Sequence, residues 1–199
     1  MKDDLGLIHV ITGDGKGKTT SSLGLALRAV GHGLKVYIIQ FMKGDDTGEI
    51  FAIKKYVPNI SIVPYGRMAL KDEQTKVFHY DGEGSDKEIG PKGKYYFFPP
   101  DDKEEEPSRR AMEHAFHVVK SEDYNVVILD EVNCVLDKSI VPIEALFKLI
   151  DEKPKNVELI LTGRGAPEEL IKRADYVNEV KSIKHPFDKG ILARKGIEY

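Results

Sequence analysis

The chain has no tryptophan and only one cysteine, Cys134, among 199 residues. A single thiol cannot close an intrachain disulfide or build a cysteine-based metal cluster, a pattern that fits a reducing cytoplasm. No apolar run approaches the ~20 residues of a membrane span. The opening Met1-Lys2-Asp3-Asp4-Leu5-Gly6 lacks the apolar core of a secretory signal. Charge of one sign is also missing: 30 basic residues face 33 acidic ones, a formal net charge of -3. General attraction to nucleic acid is therefore not expected. What remains is a chain of the length of one domain over residues 1–199, large enough to bury a substantial core.

The richest stretch is Thr12-Gly13-Asp14-Gly15-Lys16-Gly17-Lys18-Thr19-Thr20. It follows the apolar run Leu7-Ile8-His9-Val10-Ile11 and precedes a helix-like run from Ser21 to Val30. Strand, glycine-rich loop, Lys-Thr and helix form a phosphate cradle. Glycines let the backbone wrap closely around anionic oxygens, with N–H groups and a helix N-terminus aimed at them. Lys18 supplies a charge for phosphate and Thr19 a hydroxyl for magnesium. The loop is one residue shorter than the standard pattern, whose first glycine would fall at Thr12, and it carries a second lysine, Lys16. A shorter loop holds a polyphosphate in a different register, so hydrolysis or transfer of the terminal phosphoryl group is not the default chemistry.

Strands are predicted over 7–12, 35–41, 126–130 and 157–162, with weaker candidates at 60–63 and 176–180. Helices are predicted over 18–30, 49–56, 107–120, 142–151 and 167–173. In the third, Met112, Ala115, Phe116 and Val119 repeat at helical spacing and mark a buried face. Pro107, Pro142 and Pro167 suit a helix's first turn. Apolar strands alternating with helices give an α/β fold, a mainly parallel sheet covered on both faces. Residues 68–106 break this rhythm. About 71–92 reads as a solvated surface insertion. The aromatic run Tyr95-Tyr96-Phe97-Phe98-Pro99-Pro100 is either a plug on the core or a lip over a large flat ligand.

A second chemical signal is Val126-Val127-Ile128-Leu129-Asp130-Glu131. An apolar strand ending in carboxylates, in the same chain as a phosphate loop, is placed to hold magnesium directly or through water. Arg164 follows the next strand on the same sheet edge, where it suits phosphate contact or a surface ion pair. His114 and His117 stand three apart on a helix without a third partner of metal-ligand spacing, and read as a helix face.

Together these motifs resemble the P-loop ATP:corrinoid adenosyltransferases. The short loop, the pattern from Gly24 to Gly33, Gln40-Phe41-Met42-Lys43-Gly44 and Gly48-Glu49 all take part. So do Leu129-Asp130-Glu131, Leu161-Thr162-Gly163-Arg164-Gly165, Lys184-His185-Pro186-Phe187-Asp188-Lys189-Gly190 and Gly196-Ile197-Glu198-Tyr199. The resemblance implies a three-layer RecA-like P-loop fold and a homodimer. It implies ATP bound in reversed orientation, with the 5′-carbon outward to a corrinoid whose cobalt(I) attacks it, releasing triphosphate. By matching positions, Gly13, Asp14, Gly15, Lys16, Gly17, Lys18, Thr19, Thr20, Arg28, Arg164 and His185 would bind ATP, with Lys18 stabilising the leaving group. Thr19 and Glu131, with Asp130 as the alternative, would hold Mg2+ or Mn2+. Where the family has Gly-Phe-x-Trp against the corrin, this chain has Gly93-Lys94-Tyr95-Tyr96, which assigns Tyr95 and Tyr96 to the ring. A flavin-type protein would supply the reductant. The other classes to separate are a P-loop kinase or NTPase, which would make ADP, and a non-catalytic ATP- or corrinoid-binding protein.

Overall fold

The computed structural model describes residues 4–66, 87–88, 94–95 and 102–199, with the side chains of 87–88, 94–95 and 102–104 left aside. Six parallel strands form one sheet: β1 (Ile8–Thr12), β2 (Val36–Phe41), β3 (Ile60–Tyr65), β6 (Val126–Asp130), β7 (Glu158–Thr162) and β8 (Tyr176–Glu179). Their order is β3-β2-β6-β7-β1-β8. The two remaining strands, β4 (Lys87–Glu88) and β5 (Lys94–Tyr95), pair antiparallel in a separate two-residue ladder. Otherwise the predicted insertion lies outside the described residues.

The central strands are mostly apolar because both faces are covered, with the buried polar Gln40, Asp130 and Thr162 at their C-terminal ends. Along β6, Val126 and Ile128 enter one core, and Val127 and Leu129 the other, as the period of two requires. The first core is shared with α1 (Lys18–Gly31) and α2 (Gly48–Tyr56) through Ala26, Ala29, Ile50 and Ile53. The second takes in α3 (Asp102–Ser121), α4 (Val132–Asp137), α5 (Ile143–Glu152) and α6 (Glu168–Arg173). Met112, Ala115 and Val119 are buried there as their spacing predicts, and Phe116 packs against the same core. The layering is α/β/α, compatible with a RecA-like P-loop fold. Among the described residues no helix is long and apolar enough to cross a membrane.

The prolines correct the predicted helix starts. Pro107 lies inside α3, which begins at Asp102. Glu105 and Glu106, ahead of it, put negative charge near the start of the helix, where the helix dipole favours it. Pro142 and Pro167 stand just ahead of α5 and α6 as extended caps, with φ/ψ of -66/139 and -60/146. A proline's fixed φ suits that position, and its missing N–H costs nothing there. Every parallel strand ends on one edge of the sheet, and that edge carries the residues of interest.

Candidate functional site

The phosphate loop is built by the sequence exactly where β1 stops and α1 starts. Gly13 and Gly17 adopt φ of 98 and 119, values that a side chain would strain. The Gly15 amide donates to the Val180 carbonyl at 2.7 Å, and the Val180 amide donates to the Thr12 carbonyl at 2.8 Å. The loop is thereby stapled to the chain leaving β8. No side chain caps α1, so none competes for its first-turn amides, which are a ready anion site. Lys18 is buried at 7% exposure. Its Nζ donates to the carbonyls of Gly13 at 2.6 Å and Gly15 at 2.8 Å. Burial lowers the Lys18 pKa and the Arg164 charge acts in the same sense, while Glu131, Cys134 and Asp14 oppose it. An anion in the loop would relieve that cost.

Beside the loop, Asp130 is fully buried at the end of β6. It accepts from Thr162 Oγ1 at 2.6 Å, Thr19 Oγ1 at 3.0 Å, Gln40 Nε2 at 3.1 Å and Lys43 Nζ at 2.6 Å. Lys43 Nζ also donates to Thr19 Oγ1 at 2.9 Å. Burial alone would push the Asp130 carboxyl upward. The charge and hydrogen bond of Lys43, with the hydrogen bonds of Thr162 and Gln40, outweigh it and hold the pKa below the ordinary value. Burial likewise pulls Lys43 down, and Asp130 outweighs it, so the Lys43 pKa is raised. A hydroxyl and a carboxylate converge on one cation here. This oxygen donor set fits magnesium, which takes few protein ligands and completes its shell with phosphates and water. Among the described residues no cluster of three or more His, Cys, Asp or Glu forms a self-sufficient cage.

Glu131 follows in the left-handed region at φ 64 and starts α4. Its carboxylate makes no hydrogen bond to Thr19, but its charge acts on both Lys43 and Lys18. Cys134 Sγ donates to Glu131 Oε2 at 2.8 Å and accepts the Arg164 amide at 3.2 Å. Burial, then the Glu131 charge and hydrogen bond, push the Cys134 thiol up to about 12. The one thiol of the chain is therefore held protonated, the wrong state for a nucleophile. Its geometric work is to link Glu131 to the Arg164 turn.

The other predicted residues divide into those near the loop and those apart from it. Thr19 and Thr20 line a cleft of ≈ 230 Å³ with Lys43, Glu49 and the segment Gly196-Ile197-Glu198-Tyr199. Lys16, half exposed, is tied to that segment: its Nζ donates to the Ile197 carbonyl at 3.2 Å and lies 3.6 Å from Glu198. Asp14 is exposed on the loop. Arg164 is exposed after β7, and its charge reaches Lys18. Arg28 lies in the last turn of α1, ten residues beyond Lys18 and so ~15 Å further along the helix axis. His185 caps the 3-10 turn Pro186–Lys189, its Nδ1 accepting the Phe187 amide. Tyr96 and the Tyr95 side chain lie outside the described residues. His114 is satisfied by the hydroxyls of Tyr37 at 3.1 Å and Tyr65 at 2.9 Å, as a packed helix face. Sequence reasoning assigned no role to Lys43 and Gln40; their motif after the second strand was the available signal.

Known proteins resemble this chain over its whole length. The corrinoid adenosyltransferase of Escherichia coli K12 is 30% identical, over 100% of this chain and 88% of its own length. A Sinorhizobium corrinoid adenosyltransferase is 33% identical, over 99% of this chain and 82% of its own. Corrinoid adenosyltransferase CobA of Salmonella typhimurium LT2 is 28% identical, over 100% and 88%. The family model ATP:corrinoid adenosyltransferase BtuR/CobO/CobP matches residues 4–199, a span that takes in the short loop, Asp130 and the closing Gly196-Ile197-Glu198-Tyr199 together. This chain belongs to the ATP:corrinoid adenosyltransferase family.

Proposed function

We propose that this protein transfers the 5′-deoxyadenosyl group of ATP to the cobalt(I) of a corrinoid and releases triphosphate. The observation that carries the mechanism is the cradle itself: it offers charge and donors for a polyphosphate and no activated nucleophile. Cys134 is held as a thiol, and His185 Nδ1 is engaged by a backbone amide. The substrate cobalt is itself the nucleophile, so the protein's contributions are orientation and stabilisation of the departing charge. Lys18 exchanges its carbonyl contacts for phosphate oxygens, and the amides of the short loop and α1 join it. Arg164 adds a second positive charge on the same side. Magnesium or manganese, held by Thr19 with Asp130 or Glu131, would supply further charge neutralisation on the triphosphate.

Family membership supports ATP and the corrinoid as substrates. Homodimer formation, a cytoplasmic site of action, a flavin-type reductant protein, and corrin contact by Tyr95 and Tyr96 are parts of the same proposal. Incubation of the protein with Mg-ATP and chemically reduced corrinoid tests it, with the phosphate product identified. Triphosphate in step with adenosylcorrinoid is expected. ADP would point to a kinase or NTPase, and binding without turnover to a carrier.

A further inference from the structure

We propose that Lys43 is the resident cation of the metal site: in the nucleotide-free protein its ammonium takes the place between Thr19 and Asp130 that the divalent ion needs. Free metal is then kept out, and the ion enters with the nucleotide, whose phosphates displace Lys43 and gain it as a contact. This inference rests on the reading of Thr19 and Asp130 as metal ligands.

Three observations support it. First, the contacts form a closed triangle: Lys43 Nζ to Thr19 Oγ1 at 2.9 Å, Lys43 Nζ to Asp130 Oδ2 at 2.6 Å, and Thr19 Oγ1 to Asp130 Oδ1 at 3.0 Å. A cation thus already bridges the hydroxyl and the carboxylate. Second, the surroundings are acidic. Asp130, Glu131 and Glu49 all act on Lys43, so removing its charge leaves carboxylates facing one another, which a divalent ion would relieve. The Oε1 of Gln40, fully buried next to Asp130, has no partner. Third, the backbone is shaped to place Lys43. Met42 takes a left-handed φ of 56, uncommon for a methionine and costly unless the surroundings enforce it. Gly66 lies so close that a Cβ there would be 2.5 Å from the Lys43 N and O. Lys43 also lines the cleft beside Thr19, Thr20 and Glu49, so a released ammonium stays within the same cleft as the loop.

Mn2+ titration followed by electron paramagnetic resonance tests the idea, without nucleotide and then with ATP but no corrinoid. Lys43→Met leaves Asp130 three donors, Thr19, Gln40 and Thr162, so its side chain stays satisfied. The variant should bind free Mn2+ on the order of 10- to 100-fold more tightly than the wild type, the reach of one charged hydrogen bond. It should bind Mn2+-ATP less tightly. Adding Asp130→Asn should abolish the gain. Should Lys43→Met not fold, Gly66→Ala, which displaces the Lys43 backbone, should give a smaller gain in the same direction. Free Mn2+ binding no tighter in the variant that folds would overturn the proposal alone. Unchanged Mn2+-ATP binding in Asp130→Asn would instead overturn the metal pair beneath it, and the proposal with it.

Discussion

Gly15→Ala probes how tightly the phosphate loop is clamped. Gly15 is buried, and its φ is not left-handed, so only space is at stake. An added Cβ would lie 2.8 Å from the Lys181 carbonyl carbon and oxygen and from Val180 Cγ1, whereas carbon atoms settle at roughly 3.5–4.0 Å. Two of those atoms are backbone and cannot rotate away. Overpacking of this kind costs about 1–3 kcal/mol, and losing the Gly15–Val180 hydrogen bond adds about 1 kcal/mol. At ~2–4 °C per kcal/mol for a chain of this size, Tm should fall by roughly 4–16 °C. ATP affinity should fall too, because the displaced amides are the proposed phosphate donors. Gly24→Ala is the control. It sits in α1 with nothing within 4 Å of a new Cβ, and should gain about 0.5–1 kcal/mol from helix propensity. Thermal unfolding and ATP titration on both variants decide the matter. A Gly15→Ala protein that melts and binds ATP like the wild type would refute the clamp.

Lys18→Ala should lose ~3 kcal/mol of transition-state stabilisation, on the order of 10²–10³ in kcat, as removal of one electrostatic donor does; steady-state kinetics with reduced corrinoid measure it. Asp130→Asn should raise the magnesium midpoint of activity more than Glu131→Gln, because of the two carboxylates it is Asp130 that accepts from Thr19 Oγ1; the reverse order would make Glu131 the ligand. Asp130 also sets an acid limit. Its folded pKa lies below the unfolded value of ~3.9. Its stabilisation is therefore complete above that value and lost as pH falls through the lower folded one. Tm measured below about pH 4 should drop more steeply in the wild type than in Asp130→Asn. With its pKa at about 12, Cys134 should react slowly with iodoacetamide at pH 8, and Glu131→Gln should speed the reaction by removing a neighbouring negative charge.

The sheet was legible because buried parallel strands are apolar on both faces. Runs such as Val126-Val127-Ile128-Leu129 cannot be read otherwise between helical segments. The loop was legible because Gly13, Gly15, Gly17 and Lys18 are local in sequence. What depended on distant partners was not. Asp130 and Glu131 are neighbours with the same chemistry, and only the folded chain shows Thr19 bonded to Asp130 and Cys134 to Glu131. α4 escaped notice because six residues, Val132–Asp137, are too short to show a helical period. Pro107 reads as a helix start because proline favours that position, yet α3 already begins at Asp102. The closing Gly196-Ile197-Glu198-Tyr199 carries no signal of its own for contacting Lys16, and only folding brings Ile197 within reach across 181 residues.

The central claim is that the cradle holds the leaving group, so the bond broken is between the 5′-carbon and its oxygen. ATP carrying 18O in that bridging position tests it in one turnover with reduced corrinoid, read by mass spectrometry. The account predicts the label in the released triphosphate and none in the nucleoside product. Label retained on adenosine or ADP would place the attack at phosphorus and contradict it.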